Sequence, residues 1–364
     1  MSAPRERASV LVPPPEGPAA LAAWDAIIDA RSPAEFAEDR LPGAINCPSL
    51  DDGERIVVGT AYKQRGAFEA KRIGAPLVAR NVARHLEERF AAMPRGWRPL
   101  VYCWRGGTRS GALVHVLRQV GWDARQLDGG YKAFRRRVVA DLEPAPARLA
   151  FRVVCGATGS GKSRLLAALA AAGAQVLDLE ALAAHRGSLL GEVPGEPQPS
   201  QKAFETALWQ ALGGFDPSRP VFVEAESRKV GECRVPDALI ARMREGDCLR
   251  LEVPRPARVA LLVEDYAHFV ADPAALGEKL DCLVPLHGRE RIEGWKALAF
   301  ARDWPALVGG LLDEHYDPAY RRSSSRNYAG FDAARPIAVE SAAPQAFADL
   351  AAGLAAEAAG GRIG

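Results

Sequence analysis

The stretch FRVVCGATGSGKSRLLAAL, residues 151–169, puts a buried apolar run, a glycine-rich turn and an aliphatic helical pattern in direct succession. Within it, GATGSGKS fits G-x-x-x-x-G-K-[ST] at Gly156, Gly161, Lys162 and Ser163. Gly156, Gly159 and Gly161, with Ser160 between the last two, let consecutive backbone N–H groups curl around a phosphate. The N-terminus of the following helix adds positive potential. Lys162 supplies a point charge, and Ser163 a hydroxyl for a metal ion or a phosphate oxygen. A glycine-rich turn without a ligand is the plainer alternative. The strand before and the helix after are the context that phosphate binding needs, and they set an α/β sheet for this half of the chain. Nucleotide hydrolysis does not follow from the loop alone.

A second stretch, VYCWRGGTRSGALVHVL over residues 101–117, has the same plan with a cysteine in the key place. Cys103 ends an apolar strand and faces a glycine-rich turn and a helix start. Such a setting is expected to lower a thiol pKa below its free value of about 8.5. Arg109, six residues on, can fork onto an oxyanion held in the loop, and Arg105 lies inside it. The plainer alternative is a buried structural cysteine. Spacing leaves two chemistries open: a thiol phosphatase, or sulfur and selenium handling. Tyr102, where a histidine is absent before the cysteine, disfavours the first.

Strand and helix patterns alternate on both sides of these loops. AIIDA (26–30) and PLVYC (99–103) read as buried strands. SPAEFAED (32–39) starts a helix with Ser32 as cap, Pro33 at the first position and Glu35 three residues after the cap. A helix over 109–121 ends at glycine, and ARQLDGGYKAF (124–134) gives strand, Gly-Gly turn and helix. Proline-spaced DLEPAPARLA (141–150) marks a boundary. Residues 1–142 form one parallel α/β domain, 143–150 a connector, and 151–364 a second α/β domain with a C-terminal helical region. Strands are expected at 173–180, 219–227 and 248–254, a loop at 191–200, and a final helix after Pro344 that frays over 360–364.

Bulk properties exclude several classes. The 364 residues, 48% hydrophobic, suit about two domains. No run of about 18 apolar residues predicts a membrane span, and the first twenty residues lack the apolar core of a secretory signal. Six cysteines, none spaced C-x-x-C, and six histidines in no zinc pattern indicate a reduced cytoplasmic compartment and no structural metal. A net charge of +2 does not announce a nucleic-acid binder. The basic clusters FRRRVV (134–139) and YRRSSSRNY (320–328) read on charge alone as solvated surface.

Glu224 and Glu226 follow the run PVFV at a strand end, where a carboxylate either holds magnesium beside a phosphate loop or is a plain surface charge. His185, Arg186 and Ser188 sit in DLEALAAHRGSLLG (178–191), either as helix-terminal cations or as contacts to tRNA or a phosphorylated donor. Asp178 and Glu180 read as strand-end carboxylates near the loop.

IDARSPAEFAEDRLPGAINCPSL (28–50) resembles the opening motif of rhodanese domains. With CWRGGTRS (103–110), LDGGYKAFR (127–135), GATGSGKS (156–163), DLEALAAHRGSLLG, QPSQKAFE (198–205), VEAESRKVG (223–231), LLDEHYDPAYRR (311–322) and the insertion GTAYKQRG (59–66), the chain resembles the tRNA 2-selenouridine synthase family. Residues 272–305 match only loosely. The resemblance implies a rhodanese-like domain followed by a P-loop domain. It implies action on the wobble 2-thiouridine of the tRNA anticodon arm: alkylation of the sulfur by geranyl diphosphate, then replacement of the geranylthio group by selenium from selenophosphate. Cys103 is then the thiol of the selenium step. A selenophosphate-supplying enzyme is a candidate partner, and no tightly bound cofactor is expected. Holding the diphosphate on Lys162 and the Gly156–Gly161 backbone is inferred from the chemistry of the leaving group. A large apolar pocket for the geranyl tail is required, and the sequence does not locate it. The competing expectations are a cysteine-dependent phosphatase fused to a nucleotide-binding module, and a non-catalytic regulator with an ATP switch.

Overall fold

Five short strands make the first sheet: β1 (Leu11–Val12), β2 (Ala26–Asp29), β3 (Ala44–Asn46), β4 (Pro99–Tyr102) and β5 (Arg125–Leu127). They pair in the order β1-β5-β4-β2-β3, all parallel. These strands come from a computed structural model that describes residues 10–328 and 330–360, without the side chains of 323–325. The serines of the 320–328 basic cluster, and the expected fraying beyond Gly360, therefore lie outside the described residues. The described chain divides into two compact units. One runs to Leu142 and includes Pro199–Gly214; the other comprises Glu143–Gln198 and the chain from Phe215.

In the first unit α1 (Pro33–Glu38) starts at Pro33, and Ser32 N–H donates to Glu35 Oε2 at 3.2 Å. Two long helices, α2 (Asp52–Arg65) and α3 (Ala67–His85), fill the insertion between β3 and β4. Asp51 Oδ1 caps α2 by accepting from Glu54 N at 2.7 Å. Then α4 (Thr108–Val120) stops at Gly121, whose φ of +111 ends the helix without steric cost, and α5 (Gly130–Leu142) closes the segment. Ile28, Val101, Leu113, Leu117, Phe90 and Trp97 form the core between sheet and helices.

The second unit begins with β6 (Phe151–Gly156), α6 (Lys162–Ala171), β7 (Gln175–Leu177) and α7 (Leu179–Leu182). The next helix, α8 (Gln201–Gly214), belongs to the first unit, although chain order puts it inside the second domain expected at 151–364. Its anchors are polar: Thr206 Oγ1 donates to Asp39 Oδ2 at 3.1 Å and Trp209 Nε1 to Asp141 Oδ2 at 2.9 Å. The second unit resumes with β8 (Val221–Glu224), a small hairpin of β9 (Lys229–Val230) and β10 (Cys233–Arg234), α9 (Asp237–Arg244) and β11 (Asp247–Glu252). A helical run follows: α10 (Arg255–Asp265), α11 (Ala267–Ala271), α12 (Pro273–Leu280), α13 (Val284–His287), α14 (Arg289–Phe300), α15 (Trp304–Leu311), a π-helical turn (Leu312–Tyr316) and α16 (Asp317–Asn327). The chain ends in β12 (Arg335–Ala338) and α17 (Pro344–Ala359). The sheet order is β12-β11-β6-β8-β7, again all parallel. Val154, Leu165, Phe222, Leu251 and Phe347 pack around it, while Phe269, Leu276, Leu280, Ile292, Trp295 and Leu307 form a separate core within the helical run.

β4 and β6 are the middle strands of their sheets, and both motif loops leave from their carboxyl ends. In open parallel sheets ligands bind outside the carboxyl ends of the strands, because helix N-termini converge there.

Candidate functional site

Cys103 directly follows β4 and is buried, with 3% of its surface exposed. Ser110, in the first turn of α4, donates its hydroxyl to Cys103 Sγ at 3.1 Å. Gln126 Nε2 donates to Ser110 Oγ at 3.0 Å and also reaches the Gly106 and Gly107 carbonyls, so one amide ties the end of the loop to the start of α4. Among the described residues, the backbone N–H groups of Trp104, Arg105, Gly106 and Gly107 donate to no backbone carbonyl. Those groups, with the N-terminus of α4, suit an anion. Arg105 is exposed at the loop's outer edge.

The Gly-Gly turn before α5 explains itself sterically. Tyr131 N donates to Cys103 O at 2.8 Å and Lys132 N to Trp104 O at 3.0 Å. A β-carbon on Gly130 would lie 2.2 Å from Cys103 O and 2.4 Å from Gly106 N. The backbone of the turn thus presses directly against the cysteine loop. Behind it Arg31 is fully buried against Asp29, with Nη2 to Oδ2 at 2.6 Å, and lies 4.0 Å over the Tyr131 ring. Tyr131 OH in turn donates to Asp39 Oδ2 at 2.7 Å. Three motifs far apart in sequence meet in one buried polar network.

Arg109 donates from Nη1 to Glu35 Oε2 at 2.8 Å. Burial would raise the Glu35 carboxyl, but the Arg109 hydrogen bond and charge outweigh it and hold the group below its usual range. Glu35 therefore both starts α1 and aims Arg109. Beside Arg109 a groove of about 1180 Å³ opens between α2, α3 and α4. Its floor is mainly Val and Ala, and Arg55, Lys63, Lys71 and His115 join Arg109 in lining it.

In the second unit the phosphate loop spans the turn from β6 to α6. Gly159 and Gly161 have φ of +78 and +75, and each touches a neighbour: a β-carbon would meet Leu262 Cδ1 at 2.8 Å or Phe347 Cζ at 2.5 Å. Lys162 Nζ folds back to donate to Gly156 O at 2.9 Å, which places its charge across the loop mouth. Ser160 is buried, and its Oγ has no partner among the described residues. Ser163 Oγ donates to Glu180 Oε2 at 2.8 Å. Arg258, which sequence reasoning missed, holds the loop from behind. Its Nε donates to Thr158 O at 2.9 Å while its two terminal nitrogens grip Asp317. No local pattern marks it, because its partners lie 100 and 59 residues away.

Family comparison adds to this geometry. Residues 16–137 match the model described as the rhodanese-like domain, and residues 149–279 match that of the tRNA 2-selenouridine synthase AAA domain. The tRNA 2-selenouridine synthase of Nitrosomonas europaea is 36% identical over 71% of this chain and 67% of its own length. That of Marinobacter nauticus is 39% identical over 66% and 65%, and that of Alcanivorax borkumensis 33% identical over 82% and 90%. The chain belongs to the tRNA 2-selenouridine synthase family.

Several residues of the synthase motifs take inward roles. His185 is buried and its Nδ1 accepts from Gly187 N at 3.1 Å; burial pulls the imidazole below its usual range. Glu224 is 1% exposed, its Oε1 accepts from Glu180 N at 2.8 Å, and burial beside Asp178 and Glu180 raises it well above the usual carboxyl range. Both side chains are thus turned inward, Glu224 onto the backbone of Glu180 and His185 onto that of Gly187. Arg186 lies 5.0 Å over the Tyr266 ring and donates to Asp265 O, and Ser188 Oγ shares a hydrogen bond with Tyr266 OH at 3.2 Å. Glu226 lies against Gly187, with burial and the Glu180 charge pushing it up to about 7.

No helix among the described residues is long and apolar enough to cross a membrane.

Proposed function

We propose that the chain converts wobble 2-thiouridine of tRNA to 2-selenouridine in two steps, one at each loop. In the first, the base sulfur attacks the allylic carbon of geranyl diphosphate and the C–O bond breaks, releasing diphosphate. In the second, the selenium of selenophosphate adds at the same base carbon and geranylthiol leaves; water then cleaves the Se–P bond and phosphate is released. The observation that carries this reading is the pairing of two anion-holding loops, each at the carboxyl end of the middle strand of a parallel sheet. Both donors are phosphate esters or analogues, and each departure leaves negative charge that backbone N–H groups and a fixed cation stabilise. Lys162 and the N–H groups of 156–163 take the diphosphate. The Cys103 loop, with Arg109 aimed by Glu35, takes selenophosphate, and Cys103 is the thiol of that step.

The groove beside Arg109 fits a role in gripping tRNA. Its cations meet backbone phosphates, while its Val and Ala floor suits the face of a base. Magnesium matches the donors near the loop. Among the described residues no three ligating side chains gather, but Ser163 and Glu180 supply the sparse hydroxyl and carboxylate set that magnesium takes when phosphates provide the rest. Bound there, it would neutralise charge on the diphosphate. The scattered cysteines, no two spaced C-x-x-C, accord with a reduced, cytoplasmic setting.

Mass spectrometry of tRNA nucleosides from cells with and without the protein tests the reading. Loss of 2-selenouridine with accumulation of 2-thiouridine is expected. Unchanged 2-selenouridine would refute it.

A further inference from the structure

We infer that Arg55, on the inserted helix α2, is a second phosphate ligand beside Arg109, and that the two guanidiniums together hold the phosphoryl group of selenophosphate while its selenium faces Cys103. This rests on the reading of the Cys103 loop as the selenophosphate site and adds a residue that the loop motif does not contain.

One carboxylate oxygen brings the pair together. Glu35 Oε2 accepts from Arg109 Nη1 at 2.8 Å, and Arg55 Nε lies 3.0 Å from the same oxygen. Ser32 N–H donates to it as well, at 3.2 Å. Among the described residues neither guanidinium bonds any other group, so their outer nitrogens are left for a ligand. Two cations against one anion leave a net positive charge beside the cysteine loop. Burial would raise the Glu35 carboxyl, but Arg109 and then Arg55 hold it ionised, below its usual range. Stability does not explain Arg55. The oxygen already has two donors without it, and an ion pair whose arginine is 50% exposed adds little to folding. The two like charges repel each other, and a bound anion relieves that repulsion.

The first turn of α2 fixes where Arg55 stands. Asp52 accepts from Ala34 N at 3.1 Å, tying α2 to the start of α1, and Glu54 Oε2 accepts from Asn81 Nδ2 at 2.6 Å, tying it to α3. Arg109 is braced in the same way. Ser49 donates its hydroxyl to Arg109 O at 3.0 Å, and the next residue, Ser110, donates to Cys103 Sγ. Both arginines line the groove, so the site is open to solvent.

Chemistry selects the ligand. A chalcogen atom carried on Cys103 is a single atom, and the N–H groups of the loop suffice for it. A phosphoryl group spreads a charge of about −1.5 to −2 over three oxygens near neutral pH. Guanidiniums meet such oxygens through paired, parallel hydrogen bonds. Arg109 forks onto one edge of the group and Arg55 covers a second. Of the groove's cations, Arg55 is thus the one drawn onto the donor rather than onto tRNA.

Steady-state selenation of geranylated tRNA by the full-length protein tests the assignment, with selenophosphate and tRNA varied in turn. Arg55→Gln should raise KM for selenophosphate about tenfold or more, as loss of a charge-assisted contact predicts. It should leave KM for tRNA unchanged and weaken inhibition by inorganic phosphate in proportion. Arg55→Lys, which keeps the charge but not the fork, should fall between parent and Arg55→Gln, and it carries the test if the glutamine variant unfolds. A variant with the parent's urea midpoint and the parent's KM for selenophosphate would overturn the proposal. So would a rise confined to the KM for tRNA, which would put Arg55 on RNA phosphates instead. If inorganic phosphate does not compete with selenophosphate in the parent, and Arg109→Gln also spares that KM, the loop does not hold selenophosphate and the assignment of Arg55 falls with that reading.

Discussion

Glu226 carries a charge problem that sets a pH dependence. It stands half-buried near Glu180 and Lys162; burial and the Glu180 charge push it up to about 7, against the partial relief of the lysine. Its folded-state pKa lies above its unfolded value of about 4.3. Between those values the native protein holds a proton that the unfolded chain releases, so stability falls as pH rises, and the loss is complete above about 7. Glu226→Gln should make that fall shallower, read as the urea midpoint across pH 4.5 to 8. Parallel curves for parent and variant would contradict the assignment. Other residues near the loops show how far sequence reaches. Cys103, Arg109 and Lys162 are legible because their surroundings are local: a strand, two or more glycines and a helix within ten residues. Gln126, Glu35 and Arg258, which position them, are not, since each acts across 16 to 100 residues. His185 shows a different limit. Its place beside an arginine and a glycine marks it in the sequence, but its burial and the bond from Gly187 N to its Nδ1 come only with the fold.

The Gly129–Gly130 turn shows how one element shapes another. Gly130 has φ of +57 and sits where any β-carbon would collide with Cys103 O and Gly106 N. Gly130→Ala should cost about 2–4 kcal/mol, from left-handed strain plus displacement of the cysteine loop. Gly96→Ala, with nothing within 4 Å, should stay within about 0.5 kcal/mol. Denaturant unfolding of both variants checks this; equal midpoints would mean that the turn does not brace the loop. Most strands are legible for a simple reason. Buried parallel strands read as unbroken apolar runs, and AIIDA, PLVYC and FRVVC each became one. The edge strands escaped. β1 has two residues, and β12 contains Pro336 in a mostly exposed run. Helix α3 is legible in its second half, where residues 76–93 carry helical periodicity, whereas α2 is marked only by the family insertion at 59–66.

Taken whole, the chain sets two parallel sheets in series, each with its reactive loop on the middle strand. Helix α8, drawn from the middle of the second domain's sequence into the first unit, is the topological surprise, and it splits what the boundary at residues 143–150 would have kept apart. Division of labour between the loops is the central claim. It is tested by following the two half-reactions separately by nucleoside mass spectrometry in Lys162→Ala and Cys103→Ser. Removing the Lys162 charge should cost a charge-assisted contact of about 1.5–3 kcal/mol, tenfold to a hundredfold in geranylation. That variant should still exchange selenium into tRNA supplied already geranylated, and it should need no ATP. Cys103→Ser should do the reverse: geranylate 2-thiouridine at the parent's rate and fail to install selenium. If either variant loses both steps equally while remaining folded, or if Lys162→Ala geranylates normally, the two loops do not divide the reaction between them.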